Sequence, residues 1–234
     1  MARQGLKRTA KDESRGGAAN APASGAKPKT RTNDPDRTKA NIIEVATHEF
    51  SEKGLSGARI DEIAERTRTS KRMIYYYFES KEGLYRAVLE DSYRRIRTIE
   101  ATLDLEHKAP LEALAQHVRF TFDYQLANTD FIRLVMVENI HHGEHIAQLS
   151  STQQSNMSAI ATLRSIVERG IAAGVMRKDL DTIDLHMSIS ALCFFNVANR
   201  HTFSTIFKVD MVSPAATAAR RESVADMILR YVAP

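Results

Sequence analysis

Between Arg66 and Tyr85 the chain reads RTRTSKRMIYYYFESKEGLY, with four cations inside seven residues followed by three consecutive tyrosines and a phenylalanine. Guanidinium and ammonium groups at that density suit a polyanion, because arginine donates in a fixed fork to phosphate or to guanine O6 and N7, and lysine acts as a point charge. A buried helix would not begin with Arg66, Arg68, Lys71 and Arg72, and a solvated one has little use for Tyr75, Tyr76, Tyr77 and Phe78 in a row. The order predicts an element that meets a polyanion at its start and an apolar core along its length.

The elements that must position these residues are legible around them. Ser70 is placed to cap a helix KRMIYYYF, and the turn RTS joins it to a short helix IDEIAERT with Ile60, Ile63 and Ala64 on one face. Before these, Asp34 and Pro35 open a longer helix carrying Ile42, Ile43, Ala46 and Phe50, which Gly54 stops; after them, Ser80 caps a helix with Leu84, Val88, Tyr93, Ile96 and Leu103 along its face. Two short helices joined by a tight turn and packed on a longer one describe a helix-turn-helix. Such a recognition helix places its N-terminal residues at base edges, which points to Lys71, Arg72 and Met73. Lys71 and Arg72 could instead touch phosphate without reading bases. Ile74 and Phe78, four apart, define the inward face, leaving Tyr76 and Tyr77 as outward hydroxyl donors to phosphate, with Lys81 at the next helix N-terminus where an anion is favoured.

The rest of the chain bounds the reading. Its 234 residues are 43% apolar, enough for an ordinary core, and no run of eighteen apolar residues or secretory signal is visible, which predicts a cytoplasmic, nucleoid-associated protein without membrane contact. Cys193 is the only cysteine, sits in ISALCFF and reads as a small core residue; neither an intrachain disulfide nor a thiolate metal cluster can form. Residues 1–34 carry eight Lys or Arg against three acids, while residues 35–82 balance nine against nine, so any positive field there comes from placement. Residues 1–33 lack periodic apolar pattern and read as a disordered basic arm, either a solubilising extension or a non-specific phosphate binder. Helical periodicity resumes at Pro110 and continues through segments ending near Ala127, His142, Ala173, Phe207 and Val232, with no strand alternation anywhere. The fold is expected to be all-α. Phosphate-cradling glycine loops and nucleophile motifs are missing, so no enzyme and no cofactor is expected.

GLSGARIDEIAERTRTSKRMIYYYFESKEGLYRAVL resembles the DNA-binding domain of the tetracycline-repressor (TetR/AcrR) family, through Gly54, Ile63, Ala64, Ser70, Tyr75, Phe78, Ser80, Lys81 and Glu82 in order and spacing. Three positions, in two places, depart from the family pattern. Arg68 stands where glycine is common, and Ala58 and Arg59 stand where threonine or serine is common. The resemblance implies a helix-turn-helix domain at 34–82, with Arg59 and Arg68 joining the DNA contacts and Tyr75 turned partly inward, and a larger helical effector-binding and dimerisation domain at 83–234. It further implies a homodimer binding a palindromic double-stranded operator, released by a small-molecule effector. A second reading keeps the fold and gives the C-terminal domain a protein partner instead.

In that domain Phe120, Tyr124, Met136 and Phe195 are candidate apolar lining, and Arg133, Glu138, Asn139 and Asn196 are candidate polar contacts, since ligand sites place a few polar groups in an apolar wall. His141 and His145, four apart beside Glu138 and Glu144, invite a metal reading that Gly143 interrupts; a polar helix end is expected there, with an effector contact as the other alternative. By resemblance, the segments around residues 158–174 and 182–203 form the dimer interface.

Overall fold

Asp34 accepts hydrogen bonds from the backbone N–H groups of Asp36 and Arg37 (3.1 and 3.2 Å) and starts α1 (Pro35–Gly57), with Pro35 at its first position. The computed structural model describes residues 34–234, the side chains of 150–156 excepted, and the expected basic arm lies outside the described residues. Gly54, at φ 66° and ψ 177°, breaks α1 before a last turn. The chain then forms α2 (Ile60–Thr67), α3 (Lys71–Phe78) and α4 (Lys81–Glu100), with Ser70 accepting from Met73 N and Ser80 from Gly83 N. There follow α5 (Pro110–Ala127), α6 (Thr129–Ile140), a single 3-10 turn at Ile146–Gln148, and α7 (Ser150–Ala172). The last three helices are α8 (Thr182–Ala198), α9 (Arg200–Phe207) and α10 (Pro214–Val232). Among the described residues there is no strand, and no helix is long and apolar enough to cross a membrane.

Two expectations need correction. The single helix anticipated from Thr182 to Phe207 is interrupted at Asn199, whose φ of −105° and ψ of 1° leave the helical region. A short side-chain amide offers the backbone alternatives to the helix, so asparagine is a natural break point. Leu103 lies beyond the end of α4 and not on its face; it packs instead against the core of the later helices.

The interior has two apolar centres. One gathers Ile42, Ala46 and Phe50 of α1, Ile63 of α2, Ile74 of α3 and Leu84, Val88 and Leu89 of α4, together with Leu134 of α6 and Leu149. The other gathers α5, α7, α8 and α10 around Leu114, Val118, Phe122, Leu163, Leu185, Ile189 and Val224. The first centre crosses the boundary expected at 82–83, because a helix of twenty residues is about 30 Å long and can serve both ends of the molecule. Residues 34–234 accordingly form one compact unit.

Candidate nucleic-acid interface

Helix α3 is anchored by one wholly buried side chain, Ile74, and flanked by Phe78 and Tyr77, which pack on the first apolar centre. Successive residues advance 100° around the axis, so Tyr76 points away from Ile74 and is 75% exposed. Tyr77, three residues on, falls back to the core flank and is only half-buried, and Tyr75 is the more exposed of the two at 44%. This reverses the assignment of Tyr75 inward and Tyr77 outward. Tyr77 lies edge-on to both Tyr76 and Phe78, and Lys39 Nζ of α1 sits 5.3 Å from its ring centre. A cation of the first helix, which periodicity alone had not marked, is thereby brought beside the recognition helix.

Lys71 and Arg72 occupy the first turn of α3, both exposed, with Met73 half-buried behind them. Lys71 pairs with Asp61 of α2, while Arg72 has no ion-pair partner among the described residues. Lys81 donates to the Ser56 carbonyl (3.2 Å), so its ammonium ties the start of α4 to the end of α1. Arg59 is exposed at the N-cap of α2, where no side chain caps the helix; the buried Glu49 carboxylate accepts from the cap residue's own backbone N–H, Arg59 N (3.2 Å). Glu49 also pairs with Lys53 (2.9 Å) and lies 4.0 Å from Arg66. Arg68 sits in the turn at φ 52° and ψ 36°, the left-handed region, with Thr67 and Ser70 fixing the residues on either side. The arrangement presents Arg59, Arg68, Lys71, Arg72 and Tyr76 at the surface around a capped eight-residue helix whose opposite side is core.

A family model described as bacterial regulatory proteins, tetR family, matches residues 42–88, and one described as tetracyclin repressor-like, C-terminal domain, matches 110–228. The HTH-type transcriptional repressor NicS of Pseudomonas putida is 36% identical over 200 residues, spanning 86% of this chain and 94% of its own. The chain belongs to the tetR family of bacterial regulatory proteins. HTH-type transcriptional repressor SCO4008 of Streptomyces coelicolor is 32% identical over 141 residues, covering 59% of this chain and 69% of that one. The crystal structure of SCO4942 from Streptomyces coelicolor superposes with a TM-score of 0.63 at 26% identity, over 81% of this chain and 97% of that one. A tetR-family regulatory protein from Rhodococcus RHA1, 19% identical, shares the fold with a TM-score of 0.66 over 84% of this chain and 97% of its own. This TetR-family chain is therefore a DNA-binding transcriptional regulator, and its helix-turn-helix lies within the N-terminal match.

The anticipated effector contacts do not converge in this TetR-family structure. Phe120 and Tyr124 are neighbours on α5 with rings 5.9 Å apart, yet they line different clefts. Tyr124 and Phe131 border one of about 260 Å³ with Glu44, Asp91 and Asp130, and Phe120 borders one of about 410 Å³ with Arg119, Asp123 and Arg221. Arg133 is ion-paired to Glu52 of α1, Met136 and Asn139 are exposed on α6, and Phe195 is exposed with its ring edge-on to Phe203 at 5.6 Å. Glu138 is buried and already satisfied, accepting from His145 N (2.7 Å), Ile146 N (2.9 Å) and Tyr85 Oη (3.2 Å). It clamps the end of α6 to α4, and burial, helped by this carboxylate, pushes the Tyr85 phenol well above its ordinary range. Asn196 alone of the polar candidates is buried with an unmet group, its Nδ2.

His141 and His145 face each other edge-on at 6.4 Å, and His145 is held against Glu138. The grouping with metal-ligand proximity among the described residues lies elsewhere, at His48, Glu52 and Asp130, where Glu52 is taken by Arg133.

Proposed function

We propose that this regulator is a homodimeric repressor that binds a two-fold operator through α3 and is released by a small-molecule effector. The observation that carries the reading is the first turn of α3, where exposed Lys71 and Arg72 stand on a helix capped by Ser70 and anchored by Ile74. Arg72 is the residue for base readout, being the cation there without a protein partner among the described residues, and Tyr76 and Arg68 suit phosphate oxygens. The relatives named repressors support the sign of regulation.

The dimer surface falls on α8 and α10. Ile183 and Met187 are exposed one turn apart on α8, and Met227 and Tyr231 one turn apart on α10, with Tyr231 Oη donating to Asp184 (3.1 Å) between them. The anticipated use of α7 is not favoured, because its apolar side, Ile160, Leu163, Ile166 and Val167, is consumed by the core. A two-fold pair would offer two copies of α3 to half-sites about one helical turn, roughly 34–36 Å, apart. Effector binding then favours a dimer whose recognition helices no longer match successive grooves.

The test is a binding titration of the purified protein against its own upstream intergenic DNA over a salt series, with wild type and Arg72→Ala. Wild type should prefer one site with affinity falling steeply with salt. Arg72→Ala should lose about 1–3 kcal/mol of preference for that site over random DNA while its dimerisation is unchanged. Retained preference would remove Arg72 from base readout, and absence of any preferred site would remove the reading as a whole.

A further inference from the structure

The cleft of about 260 Å³ is walled by four helices. Glu44 and Thr47 come from α1, Asp91, Ser92 and Arg95 from α4, Tyr124 from α5, and Asp130 and Phe131 from α6. The Tyr124 and Phe131 rings meet edge to face at 6.2 Å, and Phe131 is held edge-on against Tyr93 at 5.2 Å. Tyr124 is only 7% exposed, yet its hydroxyl makes no hydrogen bond among the described residues. Burial pushes this phenol up from its ordinary range, so it keeps its proton, and two of the charges that act on it, Arg95 and Asp91, line the same cleft. A buried hydroxyl without a partner is an exception that calls for a reason.

The rest of the lining is short of donors and rich in acceptors. Thr47 and Ser92 give their hydroxyl protons to the Ile43 and Val88 carbonyls of their own helices (both 2.7 Å), which leaves only lone pairs to a guest. Arg95 is tied to the buried Asp91, which also takes Arg94. Glu44 and Asp130 have no lysine or arginine partner among the described residues, and Asp130 meets only His48 Nδ1, at 3.3 Å. Three carboxylates thus border the cleft against one guanidinium. A positive guest with N–H groups would satisfy these acceptors and gain from the faces of the two rings. A carboxylate guest would meet like charges and hydroxyls whose protons are already spent.

The position of the cleft gives such a guest a route to DNA. Glu44, His48 and Glu52 follow at four-residue intervals on α1, and α6 answers with Asp130 to His48 and Arg133 to Glu52. A guest that takes Asp130 therefore enters the joint between α6 and the helix that shares its apolar centre with α2 and α3. Resting on the effector reading above, we infer that this cleft is the effector site and that the effector is a small organic amine, bound as its ammonium ion by Glu44, Asp130 and the Tyr124 hydroxyl between the rings of Tyr124 and Phe131.

The experiment uses the full chain, as wild type, Glu44→Gln and Tyr124→Phe. Glu44 is exposed and Tyr124→Phe keeps its ring, so both variants should fold, which thermal unfolding checks. Calorimetry measures binding of benzylamine, benzyl alcohol and benzoate. Release of upstream DNA is followed, with EDTA present, for the same probes and for the small-molecule fraction of a cell extract before and after passage over a cation-exchange resin. Benzylamine alone of the three should bind and release wild type, its dissociation constant should rise about tenfold or more in each variant, and the resin should remove the releasing activity of the extract. Benzoate or benzyl alcohol acting in place of benzylamine, or activity that survives the resin, overturns the ligand class and leaves the effector reading standing. Benzylamine that binds all three proteins alike overturns the cleft. Benzylamine that binds wild type and releases no DNA overturns the link between cleft and operator. DNA that neither probes nor extract displace removes the effector reading beneath it.

Discussion

Arg68 shows how much a single residue discloses. The turn between α2 and α3 calls for a left-handed residue, the family commonly supplies glycine, and the arginine here does adopt φ 52°. A side chain with a Cβ in that region is strained by about 1 kcal/mol. Arg68→Gly should therefore raise stability by up to about 1 kcal/mol, less the extra freedom it gives the unfolded chain. The midpoint of a urea titration should move up with unchanged slope, and a lower midpoint would show that the arginine side chain stabilises the turn by a contact of its own. Other residues were less legible because their partners are distant in sequence. Glu138 read as a pocket residue from its apolar neighbours, and only the fold brings Tyr85 and the turn at His145 onto its carboxylate. Glu49 gave no sign that its carboxylate would hold the Arg59 N–H at the start of α2. His117, Thr121 and Gln125 of α5 are all buried, but their four-residue spacing, in a helix that also carries Glu112, Gln116, Arg119 and Asp123, does not separate a buried polar face from an exposed one.

Elements were legible wherever a local signal sets them. Asp34, Ser70 and Ser80 cap the helices they were expected to cap, each accepting from a backbone N–H two or three residues on, and Asp181 and Ser213 cap α8 and α10 in the same way. The break at Asn199 and the inward turn of Tyr77 escaped, the first because a lone asparagine is a weak stop, the second because the face of a short helix is decided by what packs on it. The α3–α4 joint depends on a close approach that the sequence shows only as a glycine. At Gly83 an added Cβ would strike the Phe78 carbonyl oxygen, part of the backbone at the end of the recognition helix, which cannot swing aside as a side chain could. Gly83→Ala should thus cost about 1–3 kcal/mol and displace α3 from α4. Calorimetric melting would register the loss and operator titration the displacement. A variant that melts and binds like wild type would mean that the joint relaxes without moving α3.

At the scale of the molecule, the prediction concerns which helices meet a second copy. Sequence periodicity cannot separate an apolar face used inside the chain from one used between chains, and for this reason α7 and α8 read alike. The structure separates them by what remains exposed. The described outer face of α7 carries one exposed apolar side chain, Met157, and then Ala161, Arg164, Ser165 and Glu168, whereas α8 and α10 leave Ile183, Met187, Met227 and Tyr231 in solvent. Met187, 61% exposed, lies one turn from Ile183, and burying such a side chain against a partner yields about 1.5–3 kcal/mol per copy. In the proposed dimer Met187→Glu replaces that gain with a charge buried by each copy, so the variant should run as a monomer of 26.2 kDa by light scattering. Loss of the dimer uncouples the two half-sites, and operator affinity should fall about a hundredfold or more even though α3 is untouched. Ala161→Glu on α7 is the matched control, placing the same charge on an exposed face outside the patch, and should leave both mass and affinity unchanged. Dissociation by Ala161→Glu and not by Met187→Glu would return the interface to α7, and an unaltered mass in both would place it on neither helix.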